Sequence, residues 1–249
     1  MTPPIIQIYE IQTPEEARLM IEMGVDHIGS VVPSTENRHN PVLRDAISLI
    51  RRMGAVSTLI PLYADKDIVF DTLSYYQPHV VHFCDHLSWD DPDATQAILF
   101  LQTAVKKNFP AVRIMRSIPI GQKALSDSDR IMALARQFES ISDFFLTDTV
   151  LTDNNEEQPE NGFVGITGKT CDWTVAARLV SESRIPVILA GGISPENVEE
   201  GIRTVRPYGV DSCTCTNAVD DDGRPIRFKK DPKKVRALVD AVRHMTPSI

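Results

Sequence analysis

Eight short apolar runs alternate with eight longer helical patterns along the whole chain, and few architectures accommodate that rhythm. The apolar runs lie near 5–9, 27–32, 56–63, 80–84, 111–116, 144–147, 186–190 and 210–213. The helical patterns lie near 14–23, 42–53, 68–76, 92–107, 122–138, 173–183, 195–206 and 232–243. The runs are rich in Val and Ile, as parallel strands covered on both faces are. Thr13-Pro14-Glu15-Glu16, Asp91-Pro92 and Ser194-Pro195-Glu196 each set a side-chain acceptor just before a proline, a helix-start signal. Strict alternation over 249 residues predicts an α/β protein, a single (β/α)8 TIM barrel spanning residues 1–249. A doubly wound open sheet is the competing arrangement. Its glycine-rich turn normally follows the first strand, whereas here that turn follows the seventh.

Composition narrows the function classes. Net charge is −8, from 34 acidic and 26 basic side chains, which disfavours nucleic acid and anionic membrane as partners. The basic stretch 224–234 is the exception and reads as a solvated lead-in to the last helix. Cys84, Cys171, Cys213 and Cys215 show neither zinc spacing nor a pair suited to a relaxed disulfide, so reduced thiols and a cytoplasmic location are expected. The N-terminal ten residues lack the basic and long apolar regions of a signal peptide, and no window approaches a membrane span. No metal or organic cofactor is indicated, and a monomer or homodimer is expected.

The richest segment is 185–212, where an apolar run empties into Ala190-Gly191-Gly192 and Ser194-Pro195-Glu196 then opens a helix. Two glycines let backbone N–H groups approach a ligand, and a helix start adds unsatisfied donors and a positive dipole end. Phosphate is the common occupant of such a place, and its second half should follow Val210. The stretch 149–172 breaks the rhythm after the sixth strand. It reads either as a lid or, over 153–162, as a disordered acidic excursion.

Three segments in order resemble a known family, the phosphoribosylanthranilate isomerases of tryptophan biosynthesis. Gly165-Ile166-Thr167-Gly168-Lys169-Thr170-Cys171-Asp172-Trp173 is similar to its G-G-[ST]-G-x-x-F-D-W segment. Leu189-Ala190-Gly191-Gly192-Ile193-Ser194-Pro195-Glu196-Asn197-Val198 is similar to its L-[SA]-G-G-[LI]-x-P-E-N-V signature, and Arg206-Pro207-Tyr208-Gly209-Val210-Asp211 to its next strand. Met23-Gly24-Val25-Asp26-His27-Ile28-Gly29 and Phe145-Leu146-Thr147-Asp148-Thr149 carry fainter likenesses. The resemblance implies an aldose–ketose (Amadori) rearrangement of a phosphorylated ribosyl amine, a phosphorylated small-molecule substrate. One acid opens the furanose ring and one base removes the C2′ proton. It further implies Asp148 as the acid, where the residue-level alternative is a cap on its loop, and Arg38 as the arginine of an S-x-R loop.

The chain departs from that pattern where the base should stand. The first strand ends Gln7-Ile8-Tyr9-Glu10 in place of K-[IV]-C-G, so Tyr9 occupies the position of the family's cysteine. A phenol with a pKa of about 10 is a poor base at neutral pH. The fourth strand reads Val81-His82-Phe83-Cys84-Asp85 in place of V-Q-L-H-G, and Cys213-Thr214-Cys215 replaces the second phosphate-binding turn with no glycine. Gly168, Gly191, Gly192, Cys213 and Thr214 are the phosphate candidates. Replacement bases come from His82 with Cys84, as an activated thiolate pair or as helix-packing residues, and from Asp85, His86 and Glu10 on loops. Asp211 is a carboxylate on a buried strand, and Arg116 is expected as its partner, as a substrate clamp, or in a structural salt bridge. Competing readings are a diverged phosphosugar isomerase or lyase, and a non-catalytic homologue that binds a phosphorylated metabolite.

Overall fold

The computed structural model describes residues 3–87, 91–151, 158–160 and 162–245. Eight parallel strands close into a barrel in chain order: β1 (Ile5–Ile8), β2 (His27–Val32), β3 (Val56–Pro61), β4 (Val80–Phe83), β5 (Arg113–Gly121), β6 (Phe144–Val150), β7 (Val187–Leu189) and β8 (Gly209–Ser212). Closure is made by β1 and β8, with Ile5 opposite Gly209 and Ile8 opposite Ser212. The surrounding helices are α1 (Pro14–Glu22), α2 (Pro41–Arg52), α3 (Lys66–Tyr76), α4 (Pro92–Asn108), α5 (Ser128–Glu139), α6 (Trp173–Glu182), α7 (Val198–Val205) and α8 (Pro232–His244). This is the predicted (β/α)8 barrel. Among the described residues no helix is long and apolar enough to cross a membrane.

Helix starts follow from short polar side chains that accept the first free N–H groups. Thr13 and Glu16 form a reciprocal capping box, and Asn40, Asp65, Asp91, Asp172 and Asp231 each cap their helix through a side-chain oxygen. The start expected at Ser194-Pro195 is corrected. Residues 194–197 form a turn closed by Ser194 and Asn197, and α7 begins only at Val198. Strand β5 runs to Gly121, well past the expected 116, because β6 pairs with it throughout. Strand β4 leaves it after Arg116, so the missing N–H of Pro119 breaks no ladder on that side.

The stretch 224–234 is also corrected. It is not a solvated lead-in, because β9 (Asn217–Val219) and β10 (Pro225–Lys230) form an antiparallel hairpin between β8 and α8. The hairpin brings Arg227 and Lys230 to Glu10, which is 1% exposed at the end of β1. Arg227 Nε lies 2.8 Å from Glu10 Oε1, the Phe228 N–H donates to Oε2 at 3.1 Å, and Lys230 Nζ is 3.9 Å away. These partners hold the Glu10 carboxyl below its ordinary pKa against the opposing effect of burial. Glu10 also has φ +62°, a left-handed conformation that suits glycine, which the resembled family carries at this place.

Arg227→Ala is therefore expected to cost about 2 kcal/mol, because it strips a buried carboxylate of its main cation. Adding Glu10→Gly should recover most of that loss, since it removes both the charge and the backbone strain. Urea unfolding of both variants checks this: equal losses would disconnect Glu10 from the hairpin.

Candidate active site

The C-terminal ends of the strands enclose a cavity of about 720 Å3 that opens to solvent. Its wall carries Tyr9 and Glu10 from the end of β1, His82 and Cys84 from β4, Asp148 from β6 and Asp211 from β8. Gly191–Ile193 and Cys213–Cys215 line one end, and residues 163–168 form a roof. The roof is pinned: Val164 N–H donates to Cys84 O at 2.9 Å, His86 N–H to Gly162 O at 2.9 Å, and Thr149 Oγ1 to Lys169 O at 2.7 Å. Of the expected acidic excursion over 153–162, residues 153–157 and 161 lie outside the described residues.

Asp148 sits under this roof. A Cβ on Gly165, where φ is +99°, would fall 2.5 Å from Asp148 Oδ2, so only glycine lets the loop lie on the carboxyl. Burial raises the Asp148 pKa to about 7, opposed by the Thr149 N–H at 3.1 Å and the Ser117 hydroxyl at 3.5 Å. Burial raises Asp211 to about 8, with Gln7 donating at 3.1 Å in the opposite sense and the charge of Asp148 adding to the rise. Both groups hold a proton near neutrality, a condition that suits a general acid.

Tyr9 is 4% exposed, and its ring occupies the space beside Gly29, where a Cβ would sit 2.2 Å from Cδ1. Burial, then the negative charge of Asp211, pushes the phenol well above its ordinary pKa. Its hydroxyl pairs with His82 Nδ1 at 2.6 Å, and His82 Nε2 pairs with Ser117 Oγ at 2.8 Å. Burial, then the Arg116 cation, lowers His82 to about 3, so the imidazole is neutral. Of the two alternatives for His82 and Cys84, both line the cavity rather than pack against helices, yet no activated thiolate pair is formed. Both ring nitrogens are engaged elsewhere, and burial drives the Cys84 thiol well above its usual pKa.

Two arginines are corrected. Arg116 points out of the barrel into the helix layer, where it meets Gln102 of α4 at 2.9 Å and Asp85 at 2.9 Å and stacks over Phe83 and Phe138. It touches neither Asp211 nor the cavity, because its strand neighbours Met115 and Ser117 are the ones facing inward. Arg38 is half-exposed, bonds to Asp71 of α3 at 2.8 Å, and does not line the cavity.

The five phosphate candidates do converge. Cys215 Sγ contacts Gly168 O at 3.7 Å, and a Cβ on Gly168 would lie 3.3 Å from Thr214 Cγ2. Thr214 Oγ1 is buried with no hydrogen-bond partner among the described residues, and Lys230 Nζ stands behind it on Cys213 O at 2.8 Å. The glycines have a second role that the sequence did not suggest. A Cβ on Gly192 would meet Lys169 C at 2.5 Å, and one on Gly191 would meet Thr149 Oγ1 at 2.2 Å, so both residues let the roof dock. Ser117 and the His82–Ser117 link were not singled out from the sequence. The signal available was strand parity, which puts Ser117 inward whenever Arg116 points out.

The raised carboxyls set a stability profile. The folded state keeps protons on Asp148 and Asp211 where the unfolded chain has lost them. Their contribution is therefore complete below about pH 4 and declines as pH rises to their folded values, about 7 and 8. Asp211→Asn should leave stability unchanged at pH 4 and raise it above pH 8, by roughly 1.4 kcal/mol for each pH unit of the window. Urea midpoints from pH 4 to 9 test this, and a constant difference would remove the buried proton from the explanation.

The family model of N-(5′-phosphoribosyl)anthranilate (PRA) isomerase matches residues 111–241. The N-(5′-phosphoribosyl)anthranilate isomerase of Methanocella arvoryzae is 31% identical over 243 residues, covering 96% of this chain and 97% of that protein. That of Methanothrix thermoacetophila is 31% identical over 240 residues, covering 96% and 97%. Among solved structures, phosphoribosyl anthranilate isomerase from Thermotoga maritima superposes with a TM-score of 0.69 at 20% identity, over 97% of this chain and 99% of that one. A thiamine phosphate pyrophosphorylase from Pyrococcus furiosus shares the fold at TM-score 0.60 and 15% identity, over 96% of each chain. With the family model spanning more than half the chain and full-length relatives above 30% identity, this protein belongs to the N-(5′-phosphoribosyl)anthranilate isomerase family.

Proposed function

We propose that this protein catalyses the aldose–ketose (Amadori) isomerisation of N-(5′-phosphoribosyl)anthranilate, with Asp148 as the general acid. The observation that carries the reading is the Asp148 carboxyl, which faces the cavity with a pKa of about 7. Its place is the C-terminal end of a barrel strand, across from the phosphate cup of Gly168, Gly191, Gly192, Cys213 and Thr214. The unpartnered Thr214 hydroxyl and the Lys230 charge behind it suit a phosphate dianion. With the phosphate held there, Asp148 protonates the furanose oxygen as the C1′–O bond breaks, and the nitrogen lone pair forms the imine. Loss of the C2′ proton then gives the enolamine, and Tyr9 stands where that proton leaves. Asp211, protonated near neutrality, offers a hydrogen bond to the sugar.

One observation favours a variant of this reading. Among the described cavity-lining residues there are three carboxyl groups, Glu10, Asp148 and Asp211, and no lysine or arginine, while Arg38 is held by Asp71. A substrate carboxylate meets no cation at that end, so a phosphoribosylated amine with an uncharged ring fits as well as anthranilate does.

Expression in a tryptophan auxotroph lacking the isomerase should restore growth, and the purified protein should turn over phosphoribosylanthranilate. Asp148→Asn should lower kcat by roughly 10²–10⁴-fold. Because the acid must be protonated, wild-type kcat/KM should fall as pH rises through about 7. No turnover by soluble protein, or full activity in Asp148→Asn, sinks the assignment. A higher kcat/KM for the phosphoribosyl derivative of aniline than for that of anthranilate would favour the variant.

A further inference from the structure

We propose that Tyr9, His82, Ser117 and Asp148 form one proton relay, in which His82 and Ser117 carry protons between the C2′ end of the cavity and the acid. The inference rests on the isomerase reading above and adds two residues to its machinery. The geometry is continuous: Tyr9 hydroxyl to His82 Nδ1 at 2.6 Å, His82 Nε2 to Ser117 Oγ at 2.8 Å, and Ser117 Oγ to Asp148 Oδ2 at 3.5 Å. The last link is the long one, at the acid itself, where bonds in unliganded sites tighten once substrate is bound. All four side chains come from different strand ends, and His82 and Ser117 are 2% and 0% exposed.

The donor and acceptor inventory leaves two self-consistent states. In one, Tyr9 donates to Nδ1, the Nε2 proton goes to Ser117, and Ser117 donates to Asp148. In the other, every direction is reversed and His82 carries its proton on Nδ1. A neutral imidazole is required for either; burial, and after it the Arg116 cation on the outer face of β5, keeps His82 neutral. The other titratable groups facing the chain are Cys84 at the β4 end, Asp211 of β8 and Cys213 just after it.

Such a chain explains how a phenol can stand in a base's position without ionising. With the chain in the first state, Asp148 carries its proton on the oxygen that does not accept from Ser117, gives it to the ring oxygen and becomes a carboxylate. The C2′ proton then passes to the Tyr9 oxygen as the C–H electron pair forms C1′=C2′ and the imine electrons move to nitrogen. At the same time Tyr9 hands its own proton to Nδ1, Nε2 hands its proton to Ser117, and Ser117 reprotonates Asp148. The enzyme ends with Asp148 protonated and all bonds reversed. The reverse passage restores them, with Asp148 refilled from water and Tyr9 releasing its proton to water at the mouth. The substitutions run in parallel: Tyr9 and His82 replace a cysteine and a glutamine in the resembled pattern, and they bond to each other.

Two readouts test it. Protein labelled with 15N-histidine is titrated from pH 5 to 9, and turnover of phosphoribosylanthranilate is measured for wild type, Ser117→Ala, Ser117→Thr and Asp148→Asn. In wild type the His82 ring should stay neutral while its proton shifts between the two nitrogens with a midpoint near the Asp148 pKa of about 7. That transition should vanish in Ser117→Ala, which keeps the Asp148 charge but cuts the chain, and in Asp148→Asn, and should return in Ser117→Thr. Ser117→Ala should lower kcat by about 100-fold with KM within about twofold, and Ser117→Thr should recover most of it. A His82 transition that persists in Ser117→Ala, or wild-type kcat in that variant, overturns the relay. Absence of turnover in wild type would defeat the isomerase reading instead, and the titration alone would then decide the relay.

Discussion

A carboxylate buried at the end of the first strand organises the mouth of this barrel. Glu10 stands on a backbone conformation that normally selects glycine, and its charge is met by Arg227 and Lys230 from a hairpin inserted between β8 and α8. Arg227 continues to Glu160 in the loop after β6, so one anion joins the ends of three strands. A buried ion of this kind gains little net stability over an apolar replacement, but removing one partner is costly, so its members constrain one another. Tyr9 precedes Glu10 and shares that constraint: fixing Glu10 outward to the hairpin fixes the ring inward against Gly29.

Burial also sets the protonation pattern of the cavity. Asp148 and Asp211 are pushed toward the neutral acid, His82 toward the neutral base, and the Cys84 and Tyr9 acids away from ionising. Four of these five groups, Asp211, His82, Cys84 and Tyr9, are therefore uncharged near pH 7, and Asp148 sits at the midpoint of its titration, so proton exchange among them needs little separation of charge. The cations lie outside this layer. Arg116 sits behind β5 and Lys230 behind the Cys213–Thr214 turn, where each shapes the field without entering the cavity.

The barrel was legible in the sequence because its signals are local and repeated: apolar runs, capping residues and proline starts. The misjudged segments lack such signals. Pro195 resembles a first helical residue, yet Ser194 and Asn197 close a turn that delays the helix. The β9–β10 hairpin is short, polar and charged, and its burial comes from a partner more than two hundred residues away, Glu10. Asp148, Asp211, Tyr9 and the glycines Gly168, Gly191 and Gly192 share one cavity as their strand-end positions implied. Arg116 and Arg38 do not, because residue type gives no strand face and no ion-pair partner. Arg116 needed only a one-residue change of parity to leave the cavity.

The exchange of a small thiol for a tyrosine alters more than the identity of a base. A thiolate can accept a carbon-bound proton alone, whereas a phenol held above its normal pKa cannot, and the loss would be complete if Tyr9 faced an inert neighbour. It faces instead a histidine whose remaining nitrogen reaches Ser117, and Ser117 reaches Asp148. The ring also needs Gly29 for space, and Glu10 beside it needs the hairpin for charge. Tyr9 and its neighbour Glu10 are thus embedded in contacts to β2, β4 and the β8 insertion. Those contacts, rather than any intrinsic basicity, hold Tyr9 at the wall of the cavity.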